Sequence, residues 1–144
     1  IKAEERQDNG ETGKKGLLDG VPQAMPALLQ ADEIVERVGR VRFDQLTKMG
    51  DMAAIRETLK ELEKANPETL AIRMGELLLG IASFAHAHEV GVEDALREAL
   101  NRFRARFDRM ESDALAEGKA LVDLSDDEKA ARWAAAGQTD NEDA

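Results

Sequence analysis

Between Pro67 and Glu89 the side chains of Leu70, Met74, Leu77, Leu78, Leu79, Ile81 and Phe84 fall nearly all the way round a helical period. A helix of that kind belongs in the middle of a bundle. Asn66-Pro67 fixes its start, because proline disfavours helix for the residue before it. Gly75 and Gly80 each weaken it by about 1 kcal/mol against alanine, so their presence predicts close approach of a neighbouring helix. Arg73 and Glu76 interrupt it one turn apart, and a charged pair on a buried helix calls for other charges inside the bundle.

The rest of the chain reads as further helices. Pro22 and Pro26 suit a helix start, and Leu28, Leu29, Ile34, Val35 and Val38 recur at helical spacing, predicting a first helix over about 22–39. Residues 40–50 lack sustained periodicity and read as a loop. Met52, Ile55, Leu59 and Leu62 give a second helix ending at Asn66, ahead of the apolar third. A fourth runs from Val92 to about Leu115, with Leu96, Leu100, Phe103, Phe107 and Met110 on one stripe. Ser125 and Glu128 have the capping-box spacing of a short fifth helix carrying Trp133. No segment alternates as a strand does, so the fold class is all-α, a four-helix bundle.

Residues 1–20 divide from this body. Ile1 to Arg6 read as the end of a helix already under way, which suggests a piece of a longer protein. Residues 7–16 hold three glycines and no apolar side chain, the composition of a linker. The expected organisation is therefore a helix end and linker over 1–20, a helical domain over 21–116, a short C-terminal helix region over 117–136 and a disordered acidic tail over 137–144.

A net charge of −10 argues against a nucleic-acid partner, since phosphate binding needs a basic surface to release counterions. With no cysteine there is no thiolate metal site, disulfide or cysteine nucleophile, which fits a reducing cytoplasm. No uninterrupted apolar run approaches the roughly 20 residues of a bilayer span, so no membrane partner is expected. P-loop, nucleophile-elbow and dinucleotide-binding fingerprints are also missing.

Carboxylates carry the remaining chemistry. Glu57 and Glu61 sit one turn apart on the second helix and face the same way, a spacing that can share a hard cation such as Mg²⁺. Arg56, Lys60 and Lys64 are interleaved with them, and such mixtures usually form a solvated face. Glu76 has as its plain alternative an ion pair with Arg73 or with an arginine of the fourth helix. Should Glu57, Glu61 and Glu76 converge, they need a cation, and Arg73 can supply it in place of a metal. His86 and His88 are two apart, point to different faces and make poor co-ligands. Arg102, Arg104, Arg106 and Arg109 suit phosphate oxygens, or equally Glu93, Asp94, Glu98 and Asp108.

Several ordered blocks resemble the C-terminal domain of MazG-type nucleoside triphosphate pyrophosphohydrolases. They are Ile1 to Arg6, Leu17 to Pro22, Met25 to Ala31, Val41 to Asp44, Gly75 to Leu78, Val92 to Arg97 and Arg106 to Glu111, and the similarity reaches Trp133. The resemblance implies an all-α dimer in which EExxE and ExxD motifs on successive helices hold Mg²⁺. Its reaction would be hydrolysis of a nucleoside triphosphate to the monophosphate and pyrophosphate. Carried onto this chain, the metal positions are Glu57, Glu61 and Glu76, and the substrate-phosphate positions are Arg102 and Arg106. The chain departs from the pattern at Thr58 (a carboxylate position), Arg73 (charge reversed), Ser83 and Leu100 (usually asparagine) and Ala105 (usually arginine). These departures imply that the segment is weakly active or inactive, and alternatively that it is a structural domain supporting an active one elsewhere.

Overall fold

The structure is a computed structural model and describes residues 16–143, with side chains to residue 138. The expected helix end at 1–6 and nearly all of the expected linker lie outside the described residues. Six α-helices follow one another: α1 (Ala27–Arg40), α2 (Asp44–Met49), α3 (Met52–Glu63), α4 (Pro67–Ala87), α5 (Val92–Ala116) and, after a 3-10 turn at Leu121–Asp123, α6 (Asp126–Asp143). Among the described residues there is no strand, and the all-α class holds.

Local chemistry explains most boundaries. The Asn66 carboxamide oxygen accepts from the backbone N–H of Glu68 and Thr69, at 3.1 and 3.0 Å, with Pro67 filling the first helical position. Ser125 Oγ accepts from the Glu128 N–H at 3.1 Å, the capping box expected ahead of α6. The first helix begins at Ala27 rather than at residue 22, because Pro26 takes the N-cap and a turn precedes it, in which the Met25 N–H donates to the Pro22 carbonyl at 3.2 Å. The stretch read as a loop contains α2. Six residues are too short to show a period, and the helix exists because Leu46, 8 % exposed, packs into the core. Gly137 does not end the last helix, which runs on to Asp143.

Contacts divide the chain into a unit up to Ala95 and a unit from Leu96. In the first, α1, α2 and α3 all pack on α4 around Val35, Leu46 and Ala82, with Ile34, Val38, Met49 and Leu79 alongside. Two glycines make this possible. A Cβ on Gly80 would stand 2.8 Å from the Met49 carbonyl oxygen, and one on Gly50 would stand 2.6 Å from Ser83 Oγ and 2.7 Å from the Phe84 nitrogen. Gly75 meets nothing within 4 Å, so only Gly80 has the close neighbour that the sequence predicts for both. Asp32 reaches across the unit and accepts from the N–H groups of Val92 and Glu93, at 2.9 and 3.2 Å, capping α5 from 60 residues away.

Burial departs from expectation at α4. It is the hub of its unit, yet its buried residues are only Gly80, Ala82, Ser83 and Ala85. Leu70, Met74, Leu78 and Ile81, which share one face by their spacing, are 36–48 % exposed. Among the described residues no large side chain is fully buried. The physical reason is that α1, α2 and α3 together bury only the strip around Gly80, Ala82, Ser83 and Ala85 of a helix that is apolar nearly all round. A second correction concerns length: α4, at 21 residues and a mean hydropathy of 1.3, is long and apolar enough by those measures to cross a membrane. The run escapes notice in the sequence because Arg73 and Glu76 break it into shorter apolar stretches.

Candidate functional site

The turn at Lys64–Asn66 folds α4 back along α3, and this brings the last turn of α3 beside the second turn of α4. Arg73 Nη1 lies 3.3 Å from Glu61 Oε2 and 3.0 Å from Glu76 Oε2, donating a hydrogen bond to the latter. One guanidinium therefore joins two carboxylates on successive helices. The hydrogen bond that Arg73 donates to Glu76, then the charges of Glu61 and Glu76, push the Arg73 pKa up. All three side chains are more than a third exposed, so solvent screens both pairs and neither adds much to stability. What matters is the position of the charge rather than the stability it adds.

Glu57 sits in a different setting. It pairs with Lys60 at 3.6 Å on its own helix, both about two-thirds exposed, as on a solvated face. Among the described residues no three His, Cys, Asp or Glu side chains converge so as to hold a metal ion. The donor set implied for a divalent cation is thus split, with a permanently charged guanidinium between two of its members. These residues as arranged do not fit Mg²⁺.

The other departures have structural occupations in the first unit. Thr58 Oγ1 donates to the Ala54 carbonyl at 3.0 Å, so the hydroxyl is spent on its own helix. Ser83, 5 % exposed, donates from Oγ to the Leu46 carbonyl at 2.8 Å and ties α4 to α2. His86 and His88 are exposed at the end of α4, where His88 lies 4.4 Å from the Phe84 ring centroid.

Arg102 and Arg106 belong to the second unit, together with the exposed Leu100 and Ala105. They line an open groove of about 490 Å³ floored by Phe103 and Trp133. Arg102 is 71 % exposed and lies 3.9 Å from Glu98. Arg106 is engaged: its Cζ lies 4.0 Å from the Trp133 ring centroid, and Nε and Nη2 donate to the Trp133 carbonyl at 2.9 and 2.7 Å. Sequence reading does not find this pairing, since 27 residues separate the partners; a glycine at 137 in mid-helix was the available signal.

Arg132 on α6 is bonded to Glu117 just beyond α5 and holds that carboxyl below the usual carboxylate range. A depressed folded-state pKa contributes stability that is present above the ordinary carboxylate value and lost as pH falls through the lowered one. Melting of α6, followed by Trp133 emission, is therefore expected to move down on acidification below about pH 4, by more in the parent than in Glu117→Gln.

The chain is similar to known proteins over most of its length. Over 117 residues, 79 % of this chain and 46 % of the relative, it is 35 % identical to the nucleoside triphosphate pyrophosphohydrolase/pyrophosphatase MazG of Thermotoga maritima. Over 133 residues, 86 % of this chain and 49 % of the relative, it is 32 % identical to the nucleoside triphosphate pyrophosphohydrolase of Escherichia coli. A third relative, the uncharacterized protein YabN of Bacillus subtilis, is 28 % identical over 134 residues, 90 % of this chain. No protein-family profile matches the chain. It spans about half the length of the two pyrophosphohydrolases it matches.

Proposed function

From its similarity to MazG-type nucleoside triphosphate pyrophosphohydrolases we propose that this chain belongs with them and is a self-associating structural domain whose own Mg²⁺-dependent hydrolysis is weak or absent. The observation carrying this reading is the Arg73 guanidinium bonded to both Glu61 and Glu76. Phosphate-ester hydrolysis of this class needs a Lewis acid to neutralise charge on the phosphoryl oxygens and to orient water. A guanidinium in the same place neutralises the carboxylates instead, and it has no open coordination position.

Self-association is supported by the uncovered Leu70, Met74, Leu78 and Ile81 face. A second copy suits it better than lipid, because Arg73 and Glu76 lie on the same helix and are half-solvated beside Glu61. The domain would then act in the cytoplasm as a homodimer, supporting a catalytic part of a longer pyrophosphohydrolase on which nucleoside triphosphate is the substrate. A rival enzyme reading has one point in its favour: Glu61 and Glu76 are partly exposed and lie close enough together to share one cation. Calorimetry separates the two. No binding heat is expected from Mg²⁺ at millimolar concentration, and a saturable heat removed by Glu61→Gln would support the enzyme.

A further inference from the structure

In the middle of α6 stands a glycine, the residue other than proline that most weakens a helix interior. A Cβ at Gly137 would collide with Cζ and Nη2 of Arg106, and would lie 2.8 Å from Nε. The guanidinium thus occupies the space where a side chain would be. It rests on the Trp133 ring and bonds through two nitrogens to the Trp133 carbonyl. A carbonyl in an α-helix ordinarily receives the N–H four residues on, which for Trp133 is that of Gly137 itself, so Arg106 approaches the helix where the missing side chain leaves the backbone accessible.

We infer that Arg106 and Gly137 form a matched latch that seats α6 on α5, making Arg106 a positioning residue withheld from anions. Three contacts fix the guanidinium at once: the aromatic face, the carbonyl and the flat surface of Gly137. Phe103 completes the seat, its ring centroid 5.1 Å from that of Trp133. Nε and Nη2, a pair of donors suited to an oxyanion, are both spent on the carbonyl. Arg104, two residues away on the same helix and exposed, serves as a comparison.

Gly137→Ala tests the latch because two effects oppose each other. Alanine favours helix, but its methyl evicts the guanidinium, a flexible group that can swing away. Unfolding in urea is followed by emission from Trp133, the sole tryptophan in a chain without tyrosine. In an Arg106→Ala background, Gly137→Ala is expected to raise the folding equilibrium constant of α6 about fivefold, the full helix-propensity gain. In the parent the same substitution gives little or no gain and increases acrylamide quenching of Trp133, as Arg106→Ala does and Arg104→Ala does not. An equal gain in both backgrounds, or unchanged quenching, overturns the latch. Inorganic pyrophosphate at millimolar concentration leaves the parent's emission unchanged; a saturable response lost in Arg106→Ala would show the guanidinium open to anions. The readout is Trp133 and not nucleotide hydrolysis, so this outcome is independent of whether the domain is active.

Discussion

Leu78→Asp is expected to convert the protein from dimer to monomer at micromolar concentration while leaving the helical content of the monomer intact. Leu78 is 48 % exposed in the single chain, so in a monomer the substitution is a surface change within about 0.5 kcal/mol of neutral. At a two-fold interface the same residue occurs twice, and each copy buries a carboxylate with no partner. The combined penalty weakens association by at least about a hundredfold, each tenfold corresponding to about 1.4 kcal/mol. Met74→Asp, one turn away on the same face and equally exposed, acts in the same direction. Sedimentation velocity reads both. A parent that sediments as a monomer, or a Leu78→Asp variant that stays dimeric, removes self-association through α4 from the account.

The second large effect concerns the carboxylate pattern. Arg73→Glu combined with Thr58→Glu changes the net charge by −3, two charges from the first substitution and one from the second. It also removes the only cation bonded to Glu61 and Glu76 among the described ion pairs. In the absence of metal the double variant is expected to melt at a measurably lower temperature than the parent, by a modest margin because the cluster is partly solvated. Millimolar Mg²⁺ should then restore it. A ligand at ten times its dissociation constant stabilises by about 1.4 kcal/mol, enough to raise the melting temperature by several degrees. The parent's melting temperature should not respond. Should the double variant ignore Mg²⁺ as well, the backbone positions, and not only the side chains, are unsuited to a metal.

What the sequence makes legible follows the range of the interactions. The start of α4 is readable because Asn66, Pro67, Glu68 and Thr69 settle it among themselves. The α6 cap is readable from Ser125 and Glu128 for the same reason. The Arg73–Glu61–Glu76 cluster joins two helices, yet it too could be anticipated, since one short turn connects those helices and the charges stand out against an apolar background. Interactions between distant segments are not readable in this way. Asp32 capping α5 and Arg106 seated on Trp133 depend on how the helices pack, and neither residue is unusual for its own neighbourhood. Helix α2 is hidden because it is only six residues long and owes its existence to Leu46 in the core. The burial of α4 is misjudged because its hydrophobic pattern reports the surface it needs to cover and not how much of it this chain covers.

At the centre stands the proposal that the Arg73 guanidinium, bonded to Glu61 and Glu76, takes the place that the MazG resemblance would give to a divalent ion. Pyrophosphate release from a nucleoside triphosphate by this chain, measured with millimolar Mg²⁺, tests it most directly. None above the uncatalysed rate is expected. Release that depends on Mg²⁺ and disappears in Glu61→Gln would contradict it.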